Sequence, residues 1–221
     1  MNTVEPAYSI DEYHRYTRAT QYLNGAGAVA GIALGIFILI DPTRRTDPDW
    51  VFWLVWPIAV LHTVEEYIWP GGFLRYFNAI AWRAPSPYGP LTARRAFVTD
   101  AVAGLFNPVA ILALSVVYRP AIWFFIAVLL LNGFFHITIT LMTGRYFPGA
   151  VTGGLLYIPG FTAITLFYTN RGLVSPLDLA LTFALALAFT AGFFAMVRRW
   201  QRLDEQTPSA VKSRAGSEPL R

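Results

Sequence analysis

The hydrophobic pattern of this 221-residue chain is a series of long apolar runs, separated by short polar or Pro- and Gly-containing stretches. A helix needs about 20 apolar residues to cross the hydrocarbon core of a bilayer. The pattern therefore predicts an all-α fold, a polytopic membrane helical bundle in which residues 1–199 form a single domain. About six transmembrane helices of this length are predicted, near residues 21–40, 50–69, 97–117, 121–142, 150–168 and 176–197.

Signals for helix ends accompany several of these runs. Ser9 is followed three residues later by Glu12, a capping-box pattern that predicts a helix start ahead of the first span. Pro159 lies inside the fifth span, where the missing N–H predicts a kink. The C-terminal segment 200–221 is polar and has no aromatic residue beyond Trp200. This composition predicts a disordered tail.

Composition and charge agree with a membrane protein. Charged residues make up 14% of the chain, whereas they make up roughly 25% of soluble domains. Thirteen of the 17 Lys and Arg residues lie in the N-terminal segment, in the loops after the second and fourth spans, and beyond residue 197, where the sixth span ends. Because Lys and Arg accumulate on the cytoplasmic side, both termini are predicted to be cytoplasmic. We therefore expect a multi-pass protein of the cell membrane, surrounded by membrane lipids.

Two absences from the sequence narrow its chemistry. The chain contains no cysteine, which excludes disulfides, thiolate-bound metals and a cysteine nucleophile. It also contains no phosphate-binding loop, dinucleotide fingerprint or nucleic-acid module. We therefore expect no nucleic acid among its partners.

Small residues in the first span predict close packing of that helix. Gly27, Gly31 and Gly35 recur every four residues, so they share one face on which a neighbouring helix can approach closely.

The loop after the second span contains a short amphipathic pattern. Phe73 and Phe77 share one face, while Arg75 and Arg83 can reach water. This pattern predicts a short helix lying in the membrane interface. We expect it to cap the bundle, and gating the entry of a lipid-like substrate is the alternative.

Several polar residues within the predicted spans are costly in a bilayer. A charged side chain near its centre costs at least roughly 2.5–3.5 kcal/mol, so such groups have a partner or a functional role. The polar residues in question are His62, Glu65, Glu66, Asp100, Asn107, Asn132 and His136.

Helical spacing and depth predict that the most costly of these residues converge. His62 is three residues before Glu65 and four before Glu66, so all three project from one side of the second helix. His62 and His136 each lie about seven residues, or roughly 10 Å, from the cytoplasmic end of their helices. The sequence therefore places both imidazoles at one depth.

Two chemical interpretations fit this set. In the first, His62, Glu66 and His136 bind one divalent ion, zinc, iron or manganese, and Glu65 acts as general base on its water. Asp100, Asn107 and Asn132 then surround the ligands as supporting residues. In the second, metal-free interpretation, adjacent Glu65 and Glu66 repel in low dielectric and one keeps its proton. A protonated carboxyl beside His62 is an acid/base pair suited to isomerising or cyclising an apolar substrate, or a proton relay.

The second helix also carries a family resemblance. His62-Thr-Val-Glu65-Glu66, followed by Tyr67 and Pro70-Gly-Gly-Phe73, resembles the signature of the HXXEE domain family, small multispanning membrane proteins without an established activity. Asn132-Gly-Phe-Phe-His136 and Tyr146-Phe-Pro-Gly149 are similar to the second half of that family. The resemblance covers roughly residues 50–170. It implies that His62, Glu65 and Glu66 are the defining residues and does not supply a reaction.

Three functions follow from these patterns. The favoured one is a membrane-embedded enzyme that acts on a lipophilic small-molecule substrate, with a metal preferred over the acid/base pair. The alternatives are a proton-coupled small transporter and a non-catalytic membrane scaffold.

Overall fold

The computed structural model describes residues 10–41, 43, 50–84, 86, 88–102, 107–118 and 120–206. Within these ranges the chain is helical and contains no β-strand. The π-helical turns Phe77–Ala81 and Gly153–Tyr157 interrupt the α-helices, and residues 100–102 are also π-helical. The described α-helices are α1 Ile10–Ile40, α2 Trp50–Trp53, α3 Val55–Tyr67, α4 Phe73–Tyr76, α5 Ala93–Thr99, α6 Asn107–Ser115, α7 Pro120–Thr143, α8 Ala150–Thr152, α9 Ile158–Asn170 and α10 Pro176–Gln206.

Four helical segments are long and apolar enough to cross a membrane. They are Asp11–Ile40, Pro120–Thr143, Ala150–Asn170 and Pro176–Gln206, and they coincide with the first, fourth, fifth and sixth predicted spans. α1 begins at Ile10, where the capping-box pattern places the helix start. Ser9 itself lies outside the described residues.

The second predicted span is an interrupted helix. α2 and α3 are separated at Leu54. Pro57 explains the break, because its ring opposes the carbonyl of Trp53, four residues earlier. In the third predicted span α5 ends at Thr99 and α6 begins at Asn107, and residues 103–106 lie outside the described part of the chain. The number of six spans and the cytoplasmic position of the termini therefore stay predictions.

The last helix extends beyond the sequence-based expectation. α10 continues to Gln206, so the predicted disordered tail does not begin at residue 200. Two contacts hold this extension: Trp82 Nε1–H donates to Gln201 Oε1 at 2.8 Å, and the Arg95 guanidinium donates to both oxygens of Asp204 at 2.6 and 2.9 Å. These long-range partners are not visible in composition alone. Residues 207–221 lie outside the described part.

The core consists of two apolar clusters with a polar layer between them. The first cluster includes Ala59 of α3 and Leu129 of α7. The second includes Tyr67 of α3, and partly buried residues of α7 such as Ile139 pack against it. Because the same two helices contribute to both clusters, residues between these positions on α3 and α7 face each other in the intervening layer.

The glycine face of α1 packs against α3, as its spacing predicts. Gly31 is buried, and a Cβ added to it would lie 2.5 Å from Val60 Cγ2 and 3.3 Å from Pro57 Cα. Real Cβ atoms do not approach other atoms so closely, so α3 can occupy this position only against a glycine. This contact fixes the distance between α1 and the helix that carries His62.

The short helix predicted after the second span is present as α4 and the π-helical turn that follows it. Phe73, Leu74 and Phe77 point inward and are buried. Asn78 exchanges two hydrogen bonds with the backbone of Leu91, at 2.9 and 3.0 Å. The segment therefore closes over the polar layer, with the Phe73 ring 5.6 Å from the ring of His136.

The α1–α3 contact yields a paired stability test. Replacement of Gly31 by Ala should destabilise the protein by about 1–3 kcal/mol through overpacking against α3. Gly35→Ala is the matched control, because its added Cβ would meet Pro57 side-chain atoms at ordinary distances of 3.6 and 3.7 Å. Both changes increase helix propensity by the same amount. A Tm in detergent that is lower for Gly31→Ala alone would therefore measure the cost of overpacking against α3. Equal Tm values would contradict the packing described here.

Candidate metal centre

Three buried side chains meet in the polar layer: His62 and Glu66 of α3 and His136 of α7. The Glu66 Oε1 atom lies 3.1 Å from His136 Nε2 and 3.5 Å from His62 Nε2. The two imidazole rings are 4.8 Å apart and nearly perpendicular. Exposed fractions are 2% for His62, 6% for Glu66 and 0% for His136. We refer to these three residues as the His–Glu centre.

The backbone fixes which nitrogen of His136 carries the proton. Its Nδ1 atom lies 2.5 Å from the carbonyl oxygen of Pro148. A carbonyl oxygen can only accept, so Nδ1 must be the donor. In the neutral ring, Nε2 then presents its lone pair toward Glu66.

A short hydrogen-bond chain fixes His62 in the same form. His62 Nδ1 lies 2.7 Å from Thr152 Oγ1, and that hydroxyl lies 2.5 Å from Glu65 Oε2. The single hydroxyl proton of Thr152 is used toward the Glu65 carboxylate, so its oxygen accepts from His62 Nδ1–H. The Nε2 lone pair of neutral His62 is therefore also directed at the centre.

The result is a convergence of electron-pair donors in an apolar bundle. Two imidazole nitrogens and one carboxylate oxygen lie within 4.8 Å of one another. No hydrogen-bond partner for either Nε2 atom is found among the described residues. Two atoms that each lie about 2.0–2.2 Å from one ion can be no more than about 4.4 Å apart. The two nitrogen-to-carboxylate distances satisfy this limit, and the remaining pair of atoms lies at most 4.8 Å apart, so a small approach of the two imidazoles would let the group hold a metal ion.

Glu65 is engaged on the other side of α3. Its Oε1 atom accepts from the Tyr146 hydroxyl at 2.6 Å and the Val151 N–H at 3.1 Å. Its Oε2 atom accepts from the Thr152 N–H at 2.7 Å and the Thr152 hydroxyl. Four donors occupy the accepting capacity of a carboxylate. The general-base role predicted for Glu65 therefore has no support in this geometry, and its observed role is to hold the segment 146–152.

Tyr146 contributes to this arrangement from outside the long helices. Burial and its hydrogen bond to Glu65 raise the pKa of Tyr146 above its usual value. The phenol therefore stays protonated at neutral pH and remains a donor to the carboxylate.

The turn before α8 approaches both histidines closely. Gly149 has a φ of +98°, and a Cβ added to it would lie 2.7 Å from His62 Cε1 and still closer to His136 Nδ1. The π-helical turn Gly153–Tyr157, just ahead of Pro159, then brings the Tyr157 ring onto His62, with centroids 4.4 Å apart. A π-turn at the position where Pro159 predicts a kink thus helps to pack the site.

A cavity of about 220 Å³ adjoins the His–Glu centre, and we call it the inner cavity. Its other walls are mainly aromatic and aliphatic. Asp100 lines it too: its Oδ1 accepts from the Tyr67 hydroxyl at 3.2 Å, and its Oδ2 is buried without a partner among the described residues. Asn132 is exposed on α7, one turn before His136, and also lines the cavity. The side chain of Asn107 lies outside the described part of the chain.

Sequence reasoning identified the three residues that converge but missed their supports. Thr152, the Pro148 carbonyl and Gly149 orient the imidazoles, and Tyr157 packs on one of them. The available signal was the Tyr146-Phe-Pro-Gly149 segment, which carried the resemblance yet received no role. Its position directly before the fifth predicted span could have suggested contact with residues at the same depth.

The Gly149 contact predicts a difference between two glycines of one loop. Gly149→Ala should destabilise the protein more than Gly144→Ala, by about 1–3 kcal/mol, because only the first pushes a methyl group against the imidazoles. Gly144 also has a positive φ, of +63°, but an added Cβ there meets nothing within 4 Å. Both variants place an alanine at a positive φ, and the larger φ of Gly149 adds backbone strain to its expected loss. Thermal unfolding in detergent measures the difference, and equal losses would contradict the close approach.

The chain was compared with curated proteins, solved structures and protein-family models. No curated protein and no solved structure matches the chain. The model of the family described as "Protein of unknown function with HXXEE motif" matches residues 53–164. That region includes α3 with His62, Glu65 and Glu66, α7 with His136, and the supporting segment around Thr152. The chain therefore belongs to the HXXEE family.

Proposed function

We propose that this chain is a multi-pass membrane enzyme in which His62, Glu66 and His136 bind one divalent metal ion beside a cavity for a lipophilic substrate. The observation that carries the proposal is the fixed orientation of the two imidazoles. Both donate from Nδ1 to outer partners, and both direct Nε2 at the same carboxylate oxygen.

A proton would pair fewer of these three ligand atoms than a metal ion would. An additional proton on His136 Nε2 would pair it with Glu66 Oε1, 3.1 Å away. It would leave His62 Nε2, 3.5 Å from the same oxygen, without a donor. Buried polar atoms without partners are costly. One cation between the three atoms would satisfy all of them together.

The set of ligands suggests which ions fit. Two imidazoles and one carboxylate form mononuclear zinc sites and the facial sites of non-haem iron(II) proteins, and manganese accepts the same donors. Three protein ligands leave coordination positions open. At such a position an ion acts as a Lewis acid on a bound water or on a polar group of a substrate. Among the residues that line the inner cavity, Asp100 is a candidate to exchange a proton with such a ligand.

The walls of the inner cavity favour an apolar substrate. Phe73, Phe77 and Phe135 line it beside His136, and Leu129 and Tyr157 line it beside His62. The apolar lining suits a lipophilic molecule or the lipophilic part of one. Polar groups of the substrate would then be recognised mainly at the His–Glu centre.

Metal analysis of the purified protein tests the proposal directly. The affinity tag is removed, and the protein is kept in detergent without chelator. It should then contain about one equivalent of zinc, iron or manganese, because the three ligands form a single mononuclear site. Glu66→Gln and His136→Ala should lose the ion, because each removes one of three ligands. His14→Ala is the matched control, since His14 is an exposed histidine of α1 away from the centre.

Two results would contradict the metal. One is wild-type protein that stays metal-free after expression with added zinc, iron and manganese. The other is equal metal content in wild type and in both ligand variants. In either case the metal-free acid/base interpretation of the same residues replaces it. Tm values of the variants show whether a lost ion merely reflects unfolding.

The hydrogen bonds that link His62, Thr152 and Glu65 predict a partial loss of metal affinity when Thr152 is replaced. Thr152→Val keeps the shape of the side chain but removes the acceptor for His62 Nδ1–H. Loss of such an outer partner lowers metal affinity by about 10–100-fold. Thr165→Val is the control, because the Thr165 hydroxyl bonds only to the Phe161 carbonyl in its own helix. Competition with a chromophoric chelator measures both, and identical affinities would show that Thr152 does not orient the ring.

A further inference from the structure

We propose that the cleft between α5 and α10 binds a single-chain amphiphile with one negative charge on its headgroup, and that the chain of this molecule extends toward the His–Glu centre. This inference rests on the proposed function, because it names the class of substrate that would reach the centre. The cleft encloses about 880 Å³, and we call it the outer cleft.

The outer cleft is polar at one end and apolar at the other. Its polar end is formed by Glu12, Arg94, Arg95 and Asp204, with Trp200 beside them. Its apolar part is lined by Val98 and Val102 on the side of α5 and by Phe189, Phe193 and Met196 of α10. Such a division matches a molecule with a charged head and a hydrocarbon chain.

The outer cleft and the inner cavity share part of their walls. Thr99, Phe189 and Phe193 line both. Small-molecule sites typically occupy about 300–1,000 Å³. The outer cleft falls in this range, whereas the inner cavity, at about 220 Å³, has room for only part of such a ligand. A substrate would therefore lie mostly in the outer cleft and place one portion beside the centre.

The charges at the polar end favour a single negative charge on the ligand. The Arg95 guanidinium is committed to Asp204 and lies 5.1 Å from the Trp200 ring. Arg94 is exposed, and no partner for its guanidinium is found among the described residues. Glu12 lines the same end but is engaged in another interaction, so among the described residues Arg94 is the cation of this end that can pair with a ligand. A carboxylate headgroup is the simplest partner for Arg94, since arginine recognises carboxylates in bidentate geometry.

The dimensions of α10 set which part of the ligand lies near the centre. Asp204 and Phe193 are eleven residues apart on this helix, which corresponds to about 16 Å along its axis. On α5, Arg94 and Thr99 are five residues apart, or about 7.5 Å along the axis, so a headgroup at Arg94 would still lie outside the shared wall. The portion that reaches Phe193 and Thr99 would belong to the chain, so the proposed centre acts on the chain and not on the head.

A glycine in the cleft makes a clean steric test possible. Gly192 lines the outer cleft, and an added Cβ there meets nothing within 4 Å. Gly192→Trp should therefore fill the cleft without disturbing the packing of α10. Leu185→Trp is the matched control, because Leu185 is 60% exposed on the same helix and lines neither cavity. Binding of radiolabelled oleate to the purified protein in detergent is the measurement.

Oleate should bind to wild type and to Leu185→Trp equally well, and at least about tenfold more weakly to Gly192→Trp, as expected for loss of a ligand-filled cavity. Arg94→Gln should weaken oleate binding. Uncharged oleyl alcohol should bind to wild type more weakly than oleate does, and Arg94→Gln should not change its affinity. Unaltered oleate binding in Gly192→Trp would overturn the site. Oleyl alcohol bound as tightly as oleate would overturn the charged headgroup.

Two further measurements test the outer cleft independently of the proposed metal binding. His136→Ala protein should keep oleate binding that is sensitive to Gly192→Trp, because the outer cleft does not include the centre. This result would support the cleft even if metal analysis contradicts the ion. Preferential binding of phosphatidylglycerol over oleate, with the same sensitivity to Gly192→Trp, would overturn the single-chain ligand in favour of a phospholipid.

Discussion

Two hydrogen bonds from imidazole Nδ1–H groups determine what the polar layer of this bundle can do. One goes to the Pro148 carbonyl and the other to Thr152 Oγ1, and both acceptors belong to the turn that starts the fifth apolar segment. An imidazole N–H buried without an acceptor is costly, so these acceptors prevent the rings of His62 and His136 from rotating. Because both rings donate outward, both direct lone pairs inward. The chemical character of the centre is therefore decided by a turn that contributes no side chain to it except through Thr152.

The two adjacent glutamates of the motif serve this arrangement in different ways. Neighbouring residues on a helix are separated by about 100°, so Glu65 and Glu66 leave α3 in different directions. Glu65 accepts four hydrogen bonds from the segment 146–152 and holds the turn in place. Glu66 faces the two imidazoles. The apolar clusters on either side exclude water from this layer, and in their low dielectric an unsatisfied set of lone pairs is more costly than it would be at a surface. A cation or a proton must balance them, and the group could hold one cation between its three ligands.

Helical periodicity accounts for what could be predicted from the sequence. It placed His62 and Glu66 on one face of a helix, and the loop charges suggested that His136 lies at the same depth; the structure brings these three together. Four of the long apolar runs are helices long and apolar enough to cross a membrane. The break at Leu54 was not predicted, because hydropathy is insensitive to a local clash such as that of Pro57. The role of Glu65 was also beyond sequence reasoning, since it depends on Tyr146, Val151 and Thr152, which are distant along the chain and follow no helical spacing.

The residues of the His–Glu centre and many of those that line the outer cleft lie in different parts of the chain. The match to the HXXEE family covers residues 53–164 and includes the His–Glu centre, Glu65 and the turn that orients the rings. α10 begins at Pro176, after the matched region, and supplies Phe189, Gly192 and Phe193 to the wall of the outer cleft. Most of the remaining wall comes from α5 and the residues beside it, inside the matched region, and Glu12 of α1 also lines it. The centre can therefore stay intact while residues of α10 change the shape of the cleft, because none of them contacts His62, Glu66 or His136 through a hydrogen bond or ion pair among the described residues. Under the proposed function, the motif would define the reactive centre, and the last helix would determine which molecule reaches it.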